Sequence, residues 1–136
     1  MTDFMSVFAA KSQKKHEKLM AALNVNGSIA YYNDLMNQCS FSDAFDFPKL
    51  CAMVSHDFLC SYGGRGGILI LPIVQINDCY ITNLLPKYEF DTLGLAVEAN
   101  GKRYSLAIIM TNVSKQYRTQ LEQFCQTVRE RIPSIH

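Results

Sequence analysis

The chain has 136 residues, 49% hydrophobic and 18% charged, with a formal net charge of +1. That length suits one domain with its own buried core, and the composition excludes an intrinsically disordered chain. The near-balanced charge excludes long-range steering toward nucleic acid or an anionic membrane, and leaves a local basic patch as the means of attracting anions.

The apolar residues near the start, Phe4, Met5, Val7 and Phe8, precede Lys11, Lys14, Lys15 and Lys18. A secretory signal has the reverse order, charge first and an apolar block after it. No stretch approaches the ~18 apolar residues of a membrane-spanning helix, so no transmembrane segment is expected. The five cysteines, Cys39, Cys51, Cys60, Cys79 and Cys125, are odd in number, irregularly spaced and without a CxxC pair. Reduced thiols fit this better than a disulfide framework, and the expected location is cytoplasmic.

One domain is expected over 1–136, with 1–60 mainly helical, 68–110 an antiparallel sheet and 114–132 a C-terminal helix. The first helix is expected from Thr2 or Asp3 to about Leu23, and "NVNG" stops it because Gly27 tolerates positive φ. A second follows Ser28 through "IAYYNDLMNQC". A third is read in "FPKLCAMVSHDFLC", with Pro48 in its first turn, where a missing N–H does no harm. Next, "ILILPIVQI" reads as a strand whose Pro72 marks an edge or a bulge. Asn77-Asp78 reads as a turn, "CYITNLL" as the second strand and "PKYEFDT" as a connector. The strands "LGLAVEA" and "KRYSLAIIM" flank Asn100-Gly101, the dipeptide that a type I′ hairpin turn favours. On them Leu93, Leu95, Val97 and Ala99 share one face, and Tyr104, Leu106, Ile108 and Met110 share another. The last helix starts after Ser114, carries Tyr117, Leu121, Phe124, Val128 and Ile132 at helical spacing, and ends at Pro133. The fold class is α+β: N-terminal helices, a four-stranded antiparallel meander, and an amphipathic C-terminal helix packed on the sheet.

Four features invite a chemical reading. In "SYGGRGG" the glycines lead into a strand rather than a helix, and no Gly-Lys-Ser/Thr follows, so a phosphate-binding P-loop is excluded. Arg65 on that loop still offers a planar fork for an anion, with Gly64, Gly66 and Tyr62 beside it. The alternative is a connector kept soluble by its arginine, and a single RGG is no RNA-binding tract. His56 and Cys60, four apart on the expected third helix, share a face and form a conceivable thiolate–imidazole pair, with Cys51 as a second thiol. No spacing supplies the remaining ligands of a metal site. Lys11, Lys14, Lys15 and Lys18 recur at steps of three and four, hence along one helical stripe that suits an acidic partner or is simply a solvated face. The tyrosines Tyr31, Tyr32, Tyr62, Tyr80, Tyr88 and Tyr104 exceed what one core needs, which suits a protein interface.

No pair of carboxylates shares a face beside an apolar pocket, so the reading leans away from an enzyme and calls for no cofactor and no metal. The first expectation is a small non-catalytic interaction domain of adaptor, chaperone, inhibitor or immunity type. It would act through a surface or a sheet edge on another protein or as a homodimer. The second is a sensor of a small molecule or anion, its pocket lined by Met53, Tyr80 or Tyr104 and gated by the Gly63–Gly67 loop. A thiol-dependent enzyme using Cys60 or Cys51 with His56 stands third.

Overall fold

In the computed structural model, which describes residues 3–83 and 92–133, three N-terminal helices come first: α1 (Phe4–Phe8), α2 (Gln13–Val25) and α3 (Tyr32–Gln38). A four-stranded antiparallel meander follows, β1 (Phe45–Phe47), β2 (Ala52–Val54), β3 (Phe58–Tyr62) and β4 (Ile68–Pro72). The strands β5 (Ile76–Thr82), β6 (Thr92–Ala99) and β7 (Lys102–Met110) form a second antiparallel sheet, and α4 (Lys115–Arg131) packs on β5 and β6. The α+β class, a four-stranded meander and the C-terminal helix on strands are therefore present, but the meander is β1–β4 rather than the strands expected over 68–110, of which β5–β7 form a sheet of their own. Thr2 and the connector 84–91, with Tyr88, lie outside the described residues.

The single first helix expected from the sequence is two helices. Asp3 opens α1 by accepting a bond from the Ser6 N–H at 2.8 Å, while the Ser6 hydroxyl oxygen accepts from the Asp3 N–H at 3.1 Å. The chain breaks after Phe8, and Ser12 opens α2 by accepting from the Lys15 N–H. A serine oxygen that reaches a backbone N–H competes with continuous helix, and this one starts a new axis. Gly27, at φ 78°, ends α2 in the left-handed conformation as expected.

The expected third helix over 48–60 is instead a 3₁₀ turn (Pro48–Leu50) and the strands β2 and β3. Both strands are buried along their whole length, so no polar–apolar alternation marks them as strands. One face, Met53, Phe58, Cys60, Tyr62 and Ile70, packs under α1, α2 and α3. The other, Ala52, Val54, Leu59, Leu69 and Leu71, joins the core around α4. Cys51 takes φ 53° to leave the 3₁₀ turn, and Ser55 closes the β2–β3 hairpin, where its N–H donates to the Phe58 carbonyl at 2.8 Å.

Pro72 ends β4, and a 3₁₀ turn over Ile73–Gln75 carries the chain into the second sheet, so Asn77-Asp78 lies inside β5 and is not a turn. The outer edge of β4 is closed by side chains. Ser28 Oγ accepts from the Ile70 N–H at 2.9 Å and donates to the Ile70 carbonyl at 3.2 Å, while Asn26 Nδ2 donates to the Ile68 carbonyl at 2.9 Å. By strand alternation Pro72 falls on the same edge, where its missing N–H leaves nothing unpaired. Ser28, expected to cap a helix, blocks a sheet edge instead.

Asn100 at φ 54° and Gly101 at φ 75° form the expected hairpin turn. Leu93, Leu95, Val97, Tyr104 and Leu106 face the core with Leu121, Phe124 and Val128 of α4. Beyond Leu106 the expected face is wrong by one residue. Leu106 pairs Leu95, but Ile109 pairs Leu93, and Ala107 takes φ 52° at the extra residue. This bulge sends Ile109 into the core in place of Ile108 and Met110.

Candidate functional site

The residues of the lysine stripe are distributed by the break between α1 and α2. Phe4 and Phe8 point inward, stacked at 4.6 Å, and the Tyr32 hydroxyl donates to the Phe8 carbonyl at 3.0 Å, which pins α1 to the helical layer. Asp46 on β1 accepts from the Phe4 N–H at 3.1 Å and from the Tyr62 hydroxyl at 2.7 Å, tying α1 to the meander. The outward side of α1 then presents Ser6 and Val7, and the connector after it Ala10, toward α2 and the start of β4. Together with Lys15, Lys18, Leu19 and Ile68 they line a crevice of about 500 Å³. Lys15, Lys18 and Leu19 reach it because steps of three and four share one helical face. Lys11 sits in the turn before α2 and Lys14 in its first turn, both exposed and neither lining the crevice. Among the described residues no carboxylate pairs with any of these four lysines.

The glycine loop is a tight 3₁₀ turn pressed against β7. A Cβ at Gly66 would stand 3.3 Å from Leu106 Cα, 3.4 Å from the Ser105 carbonyl and 3.1 Å from Ser61 Oγ. Only glycine fits this approach without pushing the two elements apart. The Ser61 hydroxyl donates to the Gly67 carbonyl at 2.7 Å, and Gly67 holds φ 72°, outside the usual range of other residues. Between this loop, β4 and β7 lies a groove of about 560 Å³ lined by Asn26, Arg65, Gly66, Arg103, Tyr104 and Ser105 among others. Of the anion-binding set read in the sequence, Arg65 and Gly66 share the groove. Gly64 backs onto Cys51. Tyr62 is buried under the helices, its hydroxyl committed to Asp46 and its pKa raised by burial and by that bond. Tyr104 lines the groove, Tyr80 lies under the Arg103 guanidinium, and Met53 is buried beneath the helices. Sequence spacing does not indicate Arg103, because its place along the groove depends on the contact between the loop and β7.

His56 and Cys60 do not share a helix face. His56 stands exposed in the β2–β3 turn, its Nδ1 2.7 Å from Asp43 Oδ2, and that bond raises the imidazole pKa and lowers that of Asp43. Cys60 is buried in β3, and burial raises its thiol pKa well above the ordinary value. Cys51 is raised by burial and by Asp46. A thiolate nucleophile needs the opposite shift. Among the described residues, no three His, Cys, Asp or Glu side chains gather as a metal requires. Comparison with family models, curated proteins and solved structures finds no match for this chain.

Proposed function

We propose that the chain is a non-catalytic interaction domain that takes an acidic, amphipathic segment of a partner protein into the crevice between α1 and α2. The observation that carries this reading is the pairing of an apolar floor, Val7, Ala10, Leu19 and Ile68, with Lys15 and Lys18 at its rim. An apolar groove with a like-charged edge suits a helix carrying apolar side chains on one face and carboxylates beside them. Lys11 and Lys14 extend the positive surface next to the rim. On this reading the protein is regulatory, acts in the cytoplasm with its thiols reduced, and uses this surface rather than the β4 edge. Asn26 and Ser28 occupy that edge, so a further strand finds no open ladder there.

The test is fluorescence anisotropy with a labelled helical peptide that has leucines on one face and flanking glutamates. Saturable binding is expected, weakened on the order of tenfold by Lys15→Glu/Lys18→Glu and reduced by added salt. The double variant Lys49→Glu/Lys115→Glu makes the same change in net charge elsewhere and is expected to bind normally. Equal loss in both variants would reduce the effect to net charge and sink the reading. A second copy of this chain as the true occupant would appear as a concentration-dependent mass in sedimentation that the peptide does not reverse.

A further inference from the structure

Beyond that reading, and independent of it, the geometry points to a redox site in the core beneath α4. Cys79 on β5 and Cys125 on α4 form a thiol pair that hydrogen peroxide oxidises to a disulfide. Both cysteines are free, and they come together from positions 46 residues apart in sequence. Cys125 belongs to the buried stripe of α4 with Leu121, Phe124 and Val128, and this helix packs on β5. Cys79 lies in the same core, where its Sγ–H donates to the Cys125 carbonyl at 3.9 Å. The two thiols also hydrogen-bond to each other, the largest single influence on the pKa of each.

A cysteine in an apolar core is ordinarily inert, because burial holds it as the thiol. This pair is asymmetric. The shared hydrogen bond favours the thiolate on Cys125, whose pKa is lowered, and keeps the proton on Cys79, whose pKa is raised by that bond and by burial. Arg129 lies one helical turn beyond Cys125, and its guanidinium donates to the Cys79 carbonyl and, at 3.1 Å, to Asp78 Oδ1. Its positive charge also favours the Cys125 thiolate, against the opposing effects of burial and of Asp78. Cys125 keeps 7% exposure whereas Cys79 has none, so a small peroxide reaches Cys125 first.

In the first step the Cys125 thiolate attacks one oxygen of the peroxide. An S–O bond forms, the O–O bond breaks, and the departing hydroxide takes up the proton that the Cys125 thiol had lost, leaving as water. The sulfenic acid on Cys125 then stands beside the Cys79 thiol, so the second step is intramolecular. The Cys79 sulfur attacks the Cys125 sulfur, the S–S bond forms, the S–O bond breaks, and the hydroxyl leaves with the Cys79 proton as a second water. The two thiols together lose two electrons and the peroxide gains them. The disulfide ties α4 to β5, and a dithiol reductant reverses it.

The experiment treats the native protein with hydrogen peroxide, blocks the remaining thiols with iodoacetamide in urea, and maps peptides without reductant. The expected product is a linked peptide pair containing Cys79 and Cys125, lower in mass by two hydrogens and released by dithiothreitol. Cys79→Ser should stop the reaction at the first intermediate, captured on Cys125 by dimedone, and Cys125→Ser should leave the Cys79 thiol unoxidised. The linked wild-type protein should melt several degrees above the reduced form, because the crosslink restricts the unfolded chain without moving the native sulfurs. Absence of the Cys79–Cys125 link in the folded wild type, or linkage of either cysteine to Cys39 or Cys51 in equal yield, would overturn the proposal. So would a linked form that melts below the reduced one, which would mean that the sulfurs bond only in an opened chain.

Discussion

Replacing Ser28 with alanine removes one oxygen and unpairs two buried backbone groups. Ser28 is 1% exposed, and its hydroxyl both accepts from the Ile70 N–H at 2.9 Å and donates to the Ile70 carbonyl at 3.2 Å. Ile70 is itself 1% exposed, so water does not stand ready to replace either bond. An unpaired buried donor or acceptor costs about 1–3 kcal/mol, and two of them place the expected loss at about 2–6 kcal/mol. That is a large share of the ~5–15 kcal/mol by which a domain is stable. Asn26→Ala provides the internal comparison along the same edge. It removes the bond to the Ile68 carbonyl at 2.9 Å and the one its Oδ1 accepts from the Ser28 N–H at 3.0 Å, both from an exposed side chain, so its cost should stay at about 1–2 kcal/mol. Urea unfolding reads both losses from the shift in midpoint at unchanged slope. Hydrogen exchange at the Ile70 amide should accelerate in Ser28→Ala and not in Asn26→Ala. A loss below about 1 kcal/mol in Ser28→Ala, or a loss no larger than that of Asn26→Ala, would show that the edge is wet and refute the reasoning.

Gly66→Ala should destabilise by about 1–2 kcal/mol, because two of its close contacts, at 3.3 and 3.4 Å, are β7 backbone that cannot rotate away; chemical denaturation measures it, and an unchanged midpoint would mean that the loop is not packed. The His56–Asp43 bond raises the histidine pKa, so its contribution to stability is full below the unfolded histidine value, about 6.5, and fades as pH rises through the folded value. For Asp43, whose pKa is lowered, the contribution is full above the unfolded aspartate value and lost as pH falls through the folded one. A proton NMR titration should place His56 above the free-imidazole value, and Asp43→Asn should lower it toward that value, Asp57 keeping a smaller share of the rise. Iodoacetamide at neutral pH should label the half-buried Cys39 and Cys51 before the buried Cys60 and Cys79, as peptide mass mapping would show. Rapid native labelling of Cys60 would contradict its placement under the helices.

What the sequence reveals about the fold depends on which faces each element buries. Helix α4 buries one stripe and exposes the other, so its period can be read directly, and Asn100-Gly101 announces its turn because few other pairs accept positive φ twice. In β2 and β3 both faces are buried, one under helices and one against the α4 core, and the apolar run over Cys51–Cys60 then resembles a helix. The serines mislead for a related reason. Ser12 and Ser28 have the same local signature, yet one starts a helix and the other closes a strand edge 42 residues away. The extra residue at Ala107 leaves no local trace, because alanine is a poor indicator of a left-handed position.

The candidate sites follow the same division. Lys15, Lys18 and Leu19 lie on one helix, and their common face is visible as a periodicity. Val7, Ala10 and Ile68 join them only through the break at Ser12 and the seating of α2 on β4. Arg65 is conspicuous among its glycines, whereas Arg103 joins the lining of the same groove through the approach of Gly66 to Leu106, a tertiary contact that no local spacing encodes.

The most direct measurement of the central claim is methyl NMR of the protein as the acidic, leucine-faced peptide is added. The account predicts saturable shifts at Val7, Ala10, Leu19 and Ile68, with Leu121 and Val128 of the α4 core unmoved, and loss of those shifts in Lys15→Glu/Lys18→Glu. Saturable shifts centred on the second sheet or α4, or none at any of the four crevice methyls, would contradict it.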